Sequence, residues 1–129
     1  MRLNQFIGQK QLQAIQHTCK SDEGKFFQEM LFSLKQKFAT MPKTHETDGQ
    51  GEKAIVHLHY FNGGSDWWIT ERDQENEQLQ AFGFACLNGD KEFAELGYIS
   101  ITELIENDVE LDLYWTPKSL SEIESELGL

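Results

Sequence analysis

Two runs of β-forming residues, separated by a glycine-rich turn, constrain the fold of this chain more than any other feature. Residues 54–61 and 65–71 are dense in β-branched and aromatic side chains, and Asn62, Gly63 and Gly64 lie between them. This pattern predicts an antiparallel hairpin, because a short glycine-containing connection supplies the positive φ angles that a tight turn needs.

Three further segments are predicted to extend this sheet. Residues 80–87 and 97–101 predict a third and a fourth strand. Residues 110–116 predict a fifth strand, because polar and apolar side chains alternate strictly along it, and Pro117 ends it.

Helical periodicity marks both ends of the chain and one short segment between strands. A first helix is predicted up to about Cys19, and a second from an N-cap at Ser21 to Pro42, with apolar residues recurring every three or four positions. A short helix is predicted at residues 102–106 and another at the C-terminus. The candidate N-caps of these two later helices are Ser100 or Thr102, and Ser119 or Ser121.

These elements predict an α+β fold, in which an antiparallel sheet of about four to five strands has the N-terminal helices packed on one face. The length of 129 residues, of which 39% are hydrophobic, fits one domain with a substantial core. No run approaches the roughly 18 apolar residues of a membrane span, so no membrane partner is predicted. Cys19 and Cys86 match no paired-ligand spacing and are typical of reduced thiols in a cytoplasmic protein.

The net charge of −11 is concentrated in the second part of the chain. Residues 1–53 hold eight basic and six acidic side chains, whereas residues 54–129 hold three basic and sixteen acidic ones. The electrostatic field of this negative charge repels nucleic acid and anionic membranes, so direct nucleic-acid binding is not predicted. The asymmetry indicates either an acidic surface that meets a basic partner or a well-solvated surface that keeps the protein soluble.

The fifth predicted strand adds a pattern of chemical interest. Strict alternation would place Leu111, Leu113 and Trp115 on one face and two carboxylates with a phenol on the other. Paired carboxylates perform acid–base chemistry, bind a divalent cation or receive an Arg or Lys side chain, and such a row is also typical of a solvent-facing strand. The residues predicted to form an acidic and aromatic partner-binding surface are Glu71, Asp73, Glu103, Glu106, Glu110, Asp112 and Tyr114.

The first predicted strand contains a second candidate site. His57 and His59 would share one face about 7 Å apart, and Asp66 across the hairpin could supply a carboxylate. This set predicts a metal-binding module or metal-dependent enzyme, to which Glu110 or Asp112 could add a ligand. Structural or exposed histidines are the alternative. The sequence contains no nucleophile or phosphate-binding motif, so no catalytic residue and no cofactor are predicted.

Several long phrases resemble the domain-of-unknown-function family 2958. They are AIVHLHYFNGGSDWWITERD at residues 54–73, QAFGFACL at 80–87 and ELGYISITELIENDVELDLYWTPKSL at 95–120, with the lead-in FATMPKTHETDGQG. The resemblance covers about residues 24–123, and Trp68 departs from the tyrosine usual in that family. It implies a helical extension at residues 1–20 and a single α+β domain at residues 21–129.

Members of that family occur on plasmids, phages and integrative elements, beside methylase, helicase and antirestriction-type modules. The resemblance therefore implies a role in the contest between a mobile element and host DNA defence, without implying a reaction. The leading hypothesis is a non-catalytic acidic protein that binds a basic surface of a defence or DNA-processing complex, in the manner of a DNA mimic. The alternatives are the metal-binding module and a structural module for docking or homodimer formation.

Overall fold

The computed structural model describes residues 2–20 and 22–129, and it has the predicted α+β fold. The candidate N-cap Ser21 lies outside the described residues. The helices are Gln9–Thr18 (α1), Gly24–Thr40 (α2), Ile101–Glu106 (α3) and Leu120–Leu127 (α4). The strands are Ile55–Val56 (β1), Leu58–Asn62 (β2), Ser65–Glu71 (β3), Ala81–Cys86 (β4), Glu95–Ile99 (β5), Glu110–Leu111 (β6) and Lys118–Ser119 (β7).

The predicted hairpin forms the centre of an antiparallel sheet. Five strands lie in the order β5-β4-β3-β2-β6, and β1 pairs with β7 in a separate two-stranded sheet. The turn between β2 and β3 depends on Gly63, whose φ of 57° lies in the left-handed region that glycine adopts without steric cost. Gly83 is required for close packing, because a Cβ there would lie 2.0 Å from the carbonyl oxygen of Trp68.

Helices α1, α2 and α3 contribute to the core on one side of the sheet, which we call the first face. The second predicted helix is confirmed, and its apolar stripe contributes Leu34 and Phe38 to this core. It ends at Thr40 because Pro42 disfavours helical backbone at Met41, which is extended. Ser100 is the N-cap of α3, where its hydroxyl oxygen accepts a hydrogen bond from the backbone N–H of Glu103.

The opposite side of the sheet, the second face, packs against a smaller apolar cluster. Trp68 and Phe84 from the sheet meet Leu120 and Ile123 from α4. Ser119 caps α4, because its hydroxyl accepts a hydrogen bond from the backbone N–H of Glu122. The sheet is therefore buried on parts of both faces.

The N-terminal segment packs into the same first-face core as the sheet. Phe6 and Ile7 are fully or almost fully buried, and the Tyr60 hydroxyl donates a hydrogen bond of 2.5 Å to the Phe6 carbonyl. Burial raises the pKa of Tyr60, so the phenol stays a donor at neutral pH. The first helix begins only at Gln9, because Gly8 is extended and packs closely on the Ile105 carbonyl oxygen.

The fifth predicted strand is mostly wrong. Only Glu110 and Leu111 pair with β2, and the chain then turns because the Asp112 carboxylate accepts a hydrogen bond from the Tyr114 backbone N–H. The predicted alternation fails with it. Leu111 belongs to the first-face core, whereas Trp115 packs on the second face and donates its indole N–H to the Val56 carbonyl.

Candidate functional site

His59 lies between two carboxylates on the second face. Its Nε2 atom is 2.8 Å from Asp66 Oδ1, and its Nδ1 atom is 3.1 Å from Asp112 Oδ2. The imidazole is 14% exposed and packs against Trp68 and Trp115, at centroid distances of 5.6 and 5.0 Å. We call His59, Asp66 and Asp112 the His59 clamp.

The His59 clamp ties together three parts of the chain. His59 lies on β2, Asp66 lies on β3, and Asp112 follows β6, 53 positions along the chain from His59. Both ring nitrogens are occupied by internal partners, so neither is presented to a ligand. The arrangement is therefore suited to holding the turn after β6 against the hairpin.

His57 has different surroundings from His59. It lines a shallow cleft with Thr40 and Pro42, and burial together with the nearby Lys37 ammonium lowers its pKa. The structure therefore pairs His59 with Asp66 but gives His57 a separate environment. Across residues 2–20 and 22–129, no three His, Cys, Asp or Glu side chains are grouped in a way that could hold a metal ion.

Two of the predicted partner-binding carboxylates are buried. Glu71 is 3% exposed, and its carboxylate accepts hydrogen bonds from the backbone N–H groups of His45 and Thr47 and from the Thr47 hydroxyl. Asp73 is 8% exposed. Its carboxylate accepts three backbone hydrogen bonds, from the N–H groups of Glu75, Leu79 and Gln80. Both side chains organise loops, and placing them on a partner-binding surface was wrong.

A third predicted carboxylate, Asp112, is engaged within the molecule. One of its oxygens faces His59, and the other accepts the Tyr114 backbone N–H at 3.0 Å. Asp112 therefore belongs to the His59 clamp, although its side chain is 29% exposed. Tyr114 itself is 68% exposed.

The remaining three predicted carboxylates, Glu103, Glu106 and Glu110, are exposed on α3 and on β6, which follows it. We call them the α3 acidic surface. Residues 101–112 contain five acidic side chains and no Lys or Arg. Of the other two acids in this segment, Asp108 is paired with Lys10 at 3.2 Å and Asp112 is in the clamp.

Two clefts adjoin the α3 acidic surface. An open cleft of about 970 Å³ between the N-terminal segment and α3 carries both signs of charge, including Lys10 and Glu106. A smaller groove of about 440 Å³ lies on the first face between the sheet and α3. Its lining includes Trp67, Ala85 and Glu103, and we call it the Trp67 groove. A third cleft of about 240 Å³ lies elsewhere, between the 45–51 loop and the second face.

The sequence pattern did not predict the Trp67 groove, although a signal was present. The residues of β4 that face the same side as Trp67 are Ala81, Gly83 and Ala85, all of them small. Small residues at alternate positions of a central strand leave room above the sheet. The aromatic residues of the hairpin were predicted mainly as core, and Trp67 is only partly buried.

No protein-family model, curated protein or solved structure matches this chain. Within the described ranges, none of the helices has both the length and the apolar character that crossing a bilayer would need. The resemblance to family 2958 stays a prediction from the sequence.

Proposed function

We propose that this protein is a non-catalytic interaction protein whose α3 acidic surface binds a basic surface of another protein. The observation that carries the proposal is the exposure of Glu103, Glu106 and Glu110 in a segment without any Lys or Arg. The carboxylates of Glu71, Asp73 and Asp112 hold the protein itself together, whereas these three have their side chains in solvent.

The net charge supports this proposal physically. A chain of charge −11 attracts a basic partner over roughly one Debye length, about 8 Å at physiological salt, and this attraction raises the association rate. Carboxylates spaced along a helix and the strand after it offer Lys and Arg side chains negative charge of the kind that a row of phosphates carries. Exposed Tyr114 adds an aromatic side chain of the kind that is enriched at protein interfaces.

The family resemblance adds a biological context to the proposal. If the chain acts for a plasmid or phage, the basic surface would belong to a host defence or DNA-processing complex that otherwise holds nucleic acid. Binding there would compete with the nucleic acid by occupying the groove that contacts its phosphates.

A charge-matched comparison tests the proposal. One variant carries Glu103→Gln, Glu106→Gln and Glu110→Gln, and its control carries Glu29→Gln, Glu75→Gln and Glu92→Gln, three exposed acids elsewhere. Removing three charges from −11 leaves −8 in both variants. The probe is poly-L-lysine, with binding measured by calorimetry at low and at physiological salt.

We expect the α3 variant to bind about tenfold more weakly than the parent, because three lost pairs of about 0.5 kcal/mol each sum to that ratio. The control variant should lose less than about threefold in affinity for poly-L-lysine. The difference in affinity between the two variants should shrink at higher salt. Equal losses in the two variants would mean that only total charge matters, and that result would overturn the assignment of this surface.

A further inference from the structure

One row of residues across the sheet changes from buried core to open surface. Leu111 lies opposite Tyr60, Tyr60 opposite Trp67, Trp67 opposite Ala85, and Ala85 opposite Glu95. Leu111 and Tyr60 are 2% and 0% exposed, Trp67 and Ala85 are half-buried, and Glu95 is exposed. The first face is therefore uncovered at the end of this row, beside an aromatic ring and an acidic edge.

A small residue on β4 lines the groove beside Trp67, and a glycine on β5 lies close by in the sheet. Ala85 on β4 lines the groove, and Gly97 on β5 lies opposite Gly83. A Cβ placed on Gly97 would meet no described atom within 4 Å, which shows independently that this side of β5 is open. The groove volume of about 440 Å³ lies within the range of sites that bind small groups.

The lining of the groove also includes polar residues. Glu103 on α3 lines it, together with Asn62 and Asn107. The Asn107 amide nitrogen donates a hydrogen bond of 2.8 Å to the Glu103 carbonyl, which fixes the Asn107 side chain against α3. Neither Lys nor Arg is among the described residues that line the groove.

We infer that the Trp67 groove receives an arginine side chain from the basic partner, and this inference rests on the proposed function. A guanidinium is planar, so it stacks on the Trp67 indole while its N–H groups point in the ring plane toward acceptors such as the Glu103 carboxylate. The charges are complementary, because Glu103 lines the groove, no Lys or Arg is among its described lining residues, and exposed Glu95 lies opposite Ala85 on the neighbouring strand. The compact lysine ammonium lacks the flat face that this geometry favours.

A small-molecule probe separates this groove from general charge attraction. N-acetylarginine amide is added to ¹⁵N-labelled protein, and the indole N–H resonance of Trp67, assigned with Trp67→Phe, is followed by NMR. N-acetylcitrulline amide is the matched control, because it has nearly the same shape but no charge. We expect a saturable shift with the arginine compound and at least a threefold weaker response to citrulline.

Matched variants locate the contact. Glu103→Gln should weaken arginine binding by about three- to tenfold, whereas Glu29→Gln, on exposed α2 surface, should leave it unchanged. Ala85→Leu fills the groove while retaining Trp67, and it should abolish the shift. Its thermal unfolding and its binding to poly-L-lysine report whether the rest of the protein is intact.

The outcomes separate this inference from the proposed function. An equal response to arginine and citrulline, or equal effects of Glu103→Gln and Glu29→Gln, would overturn the groove assignment even if the α3 variant still loses poly-L-lysine binding. A Trp67 shift that is specific for arginine and lost in a folded Ala85→Leu protein supports the groove. That result would stand even if the α3 and control triple variants bound poly-L-lysine equally.

Discussion

Two groups of carboxylates look alike in the sequence but have different roles in the structure. One group is Glu71 and Asp73, and the other is the α3 acidic surface. Glu71 and Asp73 are almost fully buried and face backbone N–H groups. Glu103, Glu106 and Glu110 are exposed. Burying a carboxylate is costly unless hydrogen bonds replace its water, and only the first pair has those bonds. The difference shows that an acidic residue is free for a partner only where the fold does not already use it.

The largest effect that tests this comparison is expected at Asp73. Asp73→Ala should reduce the free energy of unfolding by about 3 kcal/mol, because three backbone N–H groups lose their acceptor. Urea unfolding followed by circular dichroism measures the change. Glu75→Ala, two positions away and exposed, should stay within about 0.5 kcal/mol of the parent protein. Similar values for both variants would contradict the structural role of Asp73.

Glu71 should show a somewhat smaller and more local effect. Glu71→Ala should reduce the free energy of unfolding by about 2 kcal/mol, since it removes the acceptor for two backbone N–H groups and the Thr47 hydroxyl. Hydrogen exchange should accelerate most at the amides of His45 and Thr47. Glu92→Ala is the exposed control and should leave those amides protected. Uniform acceleration across the protein in Glu71→Ala would point to global destabilisation instead.

Asp112 provides an intermediate case next to an exposed acid. Asp112→Ala should cost about 1 to 2 kcal/mol, because it removes one side of the His59 clamp and the acceptor for the Tyr114 N–H. Glu110→Ala should cost less than about 0.5 kcal/mol. Thermal unfolding of both variants under the same conditions measures the two losses of stability. The double variant Asp112→Ala with His59→Ala should lose less stability than the two single variants lose in sum. The reason is that each single substitution already removes the same contact between His59 and Asp112.

The smallest effect is expected where exposed Glu52 repels partly buried Glu124. Partial burial and the neighbouring Glu52 raise the pKa of Glu124 above its ordinary 4.5. The folded protein then holds this proton more tightly than the unfolded chain, so the contribution to stability grows as pH falls through the raised pKa. Glu52→Gln should stabilise the protein at neutral pH by about 0.3 kcal/mol and flatten this pH dependence. An unchanged pH profile in calorimetry would refute the pairing.

Local patterns in the sequence predicted most of the fold. The hairpin, the third strand, α2 and the short helix α3 follow from alternation, helical spacing and turn residues, and Ser100 and Ser119 are caps as expected. The fifth strand was predicted too long because Asp112 accepts a hydrogen bond from its own turn. Alternation alone does not reveal that competition between side chain and strand backbone.

The candidate sites were less predictable, because their partners are distant in sequence. The contacts of Glu71 span 24 and 26 positions, and the His59 to Asp112 contact spans 53. The sequence did place His59 and Asp66 across one hairpin, and they do meet. It offered Asp112 only beside Glu110 as a possible additional ligand of that set, because the contact that selects Asp112 depends on the turn after β6.

By itself, the sequence determined the element types, the antiparallel hairpin and the concentration of negative charge after residue 53. Those properties depend on residues close together in the chain and on simple counts. Only the tertiary structure decided which carboxylates are structural and which remain in solvent. It also decided that Trp67 and Glu103 line one groove. Such roles depend on whether backbone N–H groups, a histidine or water surround each carboxylate, and folding brings those neighbours from distant positions.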